Sequence, residues 1–174
     1  MSSQIFYSSI RAELKVATVK RSVLLGLLGV GIFLFMGVYL TPELLDIWGL
    51  PGFILSGMLI TLGLKPYRRL TALENRPHQL TIDSLGRMEF FYAGKPFLAL
   101  CSKNIRQLRY RDVSDSYGIV VEVQNLDAVQ ARNPGLDLKA YAVSTRRRYG
   151  GDLFFPLFSK RSLEALNSHC NPTP

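Results

Sequence analysis

Side chains suited to catalysis or metal binding are scarce in this chain. It has two histidines, His78 and His169, and two cysteines, Cys101 and Cys170, among 174 residues. No spacing among these four matches a zinc or redox motif. The patterns G-x-S-x-G, H-E-x-x-H, G-x-x-x-x-G-K-S/T and G-x-G-x-x-G after a strand are all missing. Aspartate and glutamate are scattered, and nothing singles out a catalytic pair. The expectation is a protein that is not an enzyme and carries no metal or cofactor.

Charge is missing from two long runs. No charged residue occurs from Ser22 to Leu40, and none from Ile47 to Leu64. Each run, as a helix, rises about 27–29 Å, close to the thickness of a bilayer's hydrocarbon core. The large apolar residues of the first run favour insertion by about 5 kcal/mol. The two runs predict a transmembrane helical hairpin over 22–64. A soluble fold would have to bury both runs, and the remaining residues have their own core to fill. A cleaved signal peptide fits poorly, because a second apolar run follows directly and no small-x-small site follows Leu40.

Basic residues are missing from the connection between the runs. Thr41–Asp46 contains Glu43 and Asp46 but no Lys or Arg. Arg11, Lys15, Lys20 and Arg21 precede the first run, and Lys65, Arg68 and Arg69 follow the second. The positive-inside rule then puts both termini in the cytoplasm. Tyr39 and Trp48 fall at the outer ends of the helices, where amphipathic rings are favoured. A reducing cytoplasm argues against a disulfide between Cys101 and Cys170. Ionisable residues are missing from inside both spans, so the hairpin reads as an anchor rather than an ion or proton pathway. Gly52 with Ser56, and Gly57 with Thr61, form small-xxx-small pairs that let helices approach closely. They serve either the hairpin itself, the favoured assignment, or a second copy of the chain.

Outside the hairpin, residues 1–21 predict an amphipathic juxtamembrane helix, with Phe6, Ile10, Leu14 and Ala17 on one face. Residues 65–77 read as a linker, in which Pro66 and Pro77 bracket Tyr67–Arg76, a segment that could form a short helix. A domain over 78–170 follows, then a tail over 171–174. Strands are expected at about 79–84, 87–93, 96–102, 105–112, 117–125, 138–145 and 152–158. Alternation supports several: Leu80 and Ile82 share one face, as do Met88, Phe90 and Tyr92, and Ile119, Val121 and Val123. Ser159 can cap a helix over Lys160–Ser168 that buries Leu163 and Leu166. The fold class is thus a membrane α-helical hairpin plus an α+β domain, with a bent seven-stranded sheet closed by a C-terminal helix.

That order of elements resembles the pleckstrin-homology (PH) fold, and the chain resembles bacterial PH-like domains attached to short membrane helices. The residues carrying the likeness lie within 78–168. They are the apolar Leu98–Cys101, the polar Ser102–Asn104, the step Ile105-Arg106-Gln107-Leu108, and Tyr117-Gly118 opening the next strand. Asp152–Ser159 followed by Leu163 and Leu166 is similar to the family's last strand and helix. The resemblance implies a partly open barrel and a bacterial inner membrane. In the phosphoinositide-binding members, basic residues in the first strand–strand loop hold the phosphates. Here that loop is Ser84-Leu85-Gly86, with only Arg87 beside it, which argues against that ligand. Residues 22–64 alone also resemble the bilobed hydrophobic segment of inclusion-membrane proteins, and assembly factors for membrane complexes share the same layout.

The remaining functional signal is basic charge. Residues 65–174 hold 17 Lys and Arg against 10 Asp and Glu, a net of +7. Arg146, Arg147 and Arg148 fall in an expected turn before Gly150-Gly151, whose bare backbone would admit a phosphate or a partner. Lys103, Arg106, Arg109 and Arg111 lie on or beside the fourth expected strand, with Arg106 on the opposite face from Arg109 and Arg111. With Lys65, Arg68 and Arg69, the three consecutive arginines form the candidate surface for anionic lipid or an acidic partner. Nucleic acid is a poor match, because the aromatics follow core alternation. The expected function is a membrane-anchored interaction or scaffold module. An anionic-lipid-binding organiser is the alternative. Candidate partners are membrane lipids, a membrane or cytoplasmic protein, and a second copy of the chain.

Overall fold

The computed structural model describes residues 3–113 and 116–170, with His169 and Cys170 described by backbone alone. The expected tail over 171–174 lies outside them. The chain divides into two units. Arg11–Ala72 forms one, and residues up to Ile10 together with those from Leu73 onward form the other.

Among the described residues, the second of these is built from eight short strands and two α-helices. β1 is Gln4–Tyr7, β2 Gln79–Ile82, β3 Arg87–Tyr92, β4 Lys95–Cys101, β5 Ile105–Arg111, β6 Gly118–Val123, β7 Gln130–Ala131 and β8 Leu153–Pro156. Two helices of the other unit, α1 (Ala12–Tyr39) and α2 (Pro42–Asn75), come between β1 and β2; α3 (Leu138–Tyr149) precedes β8, and α4 (Lys160–Cys170) follows it. All pairings are antiparallel, in two sheets ordered β1-β2-β3-β4-β7 and β5-β6-β8. Strand alternation sends Leu80, Ile82, Met88, Phe90, Leu98 and Leu100 of the first sheet inward, against Ile119, Val121, Leu153 and Phe155 of the second. Leu163 and Leu166 of α4 join that core with Phe158, each large side chain contributing roughly 2 kcal/mol by burial. Two short connections fasten the sheets at one corner. Ser9 N–H donates to Leu157 O at 2.9 Å, and the Tyr117 hydroxyl donates to Ser9 O at 2.6 Å.

Three expectations are corrected in this unit. In place of the helix expected over 1–21, the described residues from 3 onward form β1 followed by the start of α1. Gln4–Tyr7 pairs with β2 along its whole length, with Phe6 opposite Leu80, and this sheet pairing overrides the local helical spacing. The strand expected at 138–145 is α3. Asp137 caps it by accepting from the N–H groups of Lys139 and Ala140 at 3.0 and 3.1 Å, and Gly150 ends it in the left-handed conformation at φ 78°. Tyr141, Ala142, Thr145 and Tyr149 recur at helical spacing on its inner side. Third, the strands lie in two sheets, not one bent seven-stranded sheet, and among the described residues no closed barrel forms.

The other unit is a pair of antiparallel helices, both long and apolar enough to cross a membrane. Most of their large apolar side chains are exposed; Leu27 is 65% and Phe53 61% exposed. The connection between them is only Leu40–Thr41. Pro42 starts α2, as proline suits a first helical position, and Glu43 lies in the first turn, where the helix dipole favours it. The segment Tyr67–Arg76, expected within the linker at 65–77 as a separate short helix, is helical to Asn75 but continuous with α2, which runs through Pro51 and Pro66 without ending. Lys65–Asn75 therefore prolongs the apolar helix by about 16 Å.

Candidate functional site

Two groups of residues stand out: the basic end of α3, and the faces of α2. Arg146, Arg147 and Arg148 form the last turn of α3, not a projecting loop. A helix C-terminus carries partial negative charge, so cations are stabilised there. Arg146 turns back and its Nε pairs with Asp152, which is buried. The other Asp152 carboxylate oxygen accepts from Val123 N–H at 2.9 Å, tying the helix end to β6. Gly150 and Gly151 serve the fold. Gly150 is the helix stop, and a Cβ on Gly151 would lie 2.3 Å from Val120 Cγ1.

Arg109 and Arg111, alternating onto one face of β5, reach the same helix end. Arg109 pairs with Glu122 and donates to Gly150 O at 2.8 Å. Arg111 lies over the Tyr149 ring at 5.3 Å, and Tyr149 stacks on Phe154. Arg147 and Arg148 are exposed, with no ion pair or hydrogen bond to another described residue. The structure thus gathers five arginines and leaves two of them open. Arg106 falls at the irregularity between Ile105 and Gln107, where the alternation expected along β5 is broken, and is exposed. Tyr141, on the inner side of α3, donates its hydroxyl to Phe154 O at 3.1 Å, and burial pushes its pKa up.

His78, the one histidine whose side chain is described, is fully buried. Its Nδ1 accepts from Ala93 N–H at 3.0 Å, its ring stacks 4.4 Å from Tyr92, and burial lowers its pKa to about 4. Cys101 is free and exposed. Among the described residues no three His, Cys, Asp or Glu side chains come together as a metal set.

On α2, the two small-residue pairs part company. Ser56 is buried and donates to Gly29 O of α1 at 2.7 Å, and a Cβ on Gly52 would strike Met36 Sδ at 2.2 Å. Gly57 has nothing within 4 Å of its Cβ position, and Thr61 only donates back to Gly57 O within α2. Sequence reasoning missed Gly29 and Gly63. A Cβ on Gly29 would lie 2.9 Å from Ser56 O, and one on Gly63 would lie 2.8 Å from Ser22 O. The overlooked signal is a seven-residue spacing, Ser22-Gly29-Met36 on α1 and Ser56-Gly63-Leu70 on α2, which is the seam of two paired helices.

Lys65, Arg68 and Arg69 lie on the side of α2 away from that seam. They line a groove of about 610 Å³ with Thr61, Leu64 and Ala72. Comparison with known proteins gives no matching family model, no matching curated protein and no matching solved structure.

Proposed function

We propose that the chain is a membrane-anchored, non-catalytic interaction module, in which a two-helix hairpin holds a basic PH-like domain at the cytoplasmic face of a bacterial inner membrane. The observation that carries this reading is the point of insertion. β1 and β2 are hydrogen-bonded neighbours, yet both apolar helices are spliced between them. β1 and β2 must then lie on the same side of any bilayer the helices enter. That requires an even number of crossings, and two apolar helices supply two. The exposed apolar surface of α1 and α2 and the basic residues flanking them favour the same arrangement.

The PH-like reading is supported by two antiparallel sheets around one core, with a C-terminal helix packed into it. A module tied at two points suits a fixed platform. Arg147 and Arg148, open at the end of α3, suit an acidic partner surface. The test is topology in intact cells. Reporters at both chain ends should read cytoplasmic, and Thr41→Cys should react with an impermeant thiol reagent added from outside. A C-terminal reporter on the far side of the membrane would overturn the proposal.

A further inference from the structure

The outward side of α2 changes character along its length. At 100° per residue, Gly57, Thr61, Leu64, Lys65, Arg68, Arg69 and Ala72 fall together, opposite Ser56, Gly63 and Leu70. Gly57 and Thr61 make this face shallow within the apolar run, since nothing fills the space beside Gly57. Lys65, Arg68 and Arg69 follow directly after Leu64, the last residue of the uncharged run. Five residues span about 7 Å, and the headgroup layer of a bilayer is about 5–7 Å deep on each side. The three cations therefore occupy the depth of lipid phosphates. Between Gly57 and Ala72 no carboxylate lies on this face, Glu43 and Asp46 falling at the other end of α2, and none of the three is paired with another described residue.

We propose that this groove holds one anionic phospholipid, its phosphate against Lys65, Arg68 and Arg69 and an acyl chain lying over Leu64, Thr61 and Gly57. The inference rests on the membrane reading above. The competing occupant is a second copy of the chain, because small residues also suit helix pairing. A two-fold interface on this face would bring six cations together without a carboxylate between them, which favours the lipid. Arg supplies paired donors to a phosphate, and Lys a point charge.

The test uses the full chain purified in detergent, with lipid retention read by native mass spectrometry. The probes are phosphatidylglycerol and phosphatidylcholine of matched chain length. Wild type should retain the anionic lipid about 10- to 100-fold better, from roughly three cation contacts. Lys65→Gln/Arg68→Gln/Arg69→Gln should bring the two lipids to within about twofold, while Lys160→Gln/Arg161→Gln, two exposed cations elsewhere, changes nothing. Arg68→Gln/Arg69→Gln, which keeps Lys65 as a topological signal, should give an intermediate loss if the triple variant fails to accumulate. Gly57→Leu should weaken retention with every cation in place. Soluble glycerol phosphate should not displace the lipid. Equal retention of both lipids by wild type, or full anionic preference in the triple variant, overturns the site. Displacement by glycerol phosphate reduces it to a phosphate contact, and a Gly57-dependent dimer without lipid assigns the face to a second copy. Release of the chain by alkaline carbonate would instead remove the membrane reading itself.

Discussion

His78 is buried beside Tyr92 with its Nδ1 occupied as an acceptor, so the folded domain holds the imidazole neutral. Its pKa is about 4 in the fold and about 6.5 in the unfolded chain. Above pH 6.5 both states are neutral and the full stability is present. As pH falls from 6.5 towards 4, the unfolded state takes up a proton that the folded state refuses, and up to about 3 kcal/mol is lost. Urea unfolding across that window should show the decline, and His78→Gln should flatten it. Asp152 holds the fold through direct contacts, its carboxylate meeting Val123 N–H and Arg146. Asp152→Ala should destabilise by about 2 kcal/mol, whereas Arg147→Gln/Arg148→Gln should stay within about 0.5 kcal/mol in the same assay. The double variant should nevertheless lose capture of an acidic partner from native membranes, most clearly at low salt.

At the scale of elements, α3 and the helix pair show what local pattern does and does not reveal. Leu138, Ala140 and Ala142 alternate well enough to pass for a strand. The caps at Asp137 and Gly150 carried the correct answer, and a helix read between them would also have moved the arginines out of a turn. β1 was less legible. Four residues hold little local signal, and the partner of β1 lies beyond the whole hairpin, so only long-range pairing identifies it. The strands from Leu80 to Phe90 were readable because one face of each is buried, and β6 because its run of β-branched residues is buried on both faces save at Glu122. Gly29 and Gly63 were legible in principle, but their spacing has meaning only when both helices are compared. The seam makes a direct prediction. A Cβ on Gly63 would lie 3.2 Å from Leu25 Cβ. Leu25→Cys/Gly63→Cys should therefore form a disulfide within one chain under mild oxidation, seen as a mobility shift on non-reducing gels. Gly57→Cys paired with Leu25→Cys should not.

For the whole molecule, the insertion between β1 and β2 decides which pieces can stand alone. A fragment beginning at Leu73 lacks β1, leaves the edge of β2 open and removes Phe6 from beside the core. It should aggregate. Replacing residues 11–72 by a flexible linker of about ten residues should instead give a soluble, cooperatively unfolding domain, because β1 then reaches β2 as in a hairpin. Gel filtration and thermal melts of the two pieces separate these outcomes. The same splice has a meaning during synthesis. About 70 residues must be made between β1 and its partner, a delay of several seconds at typical translation rates. A nascent chain that crossed the bilayer only once would strand β1 and β2 on opposite sides, and its sheet would never assemble. Under the anchoring proposed above, completion of the domain would act as a parity check on membrane insertion, since only copies threaded twice could finish the sheet.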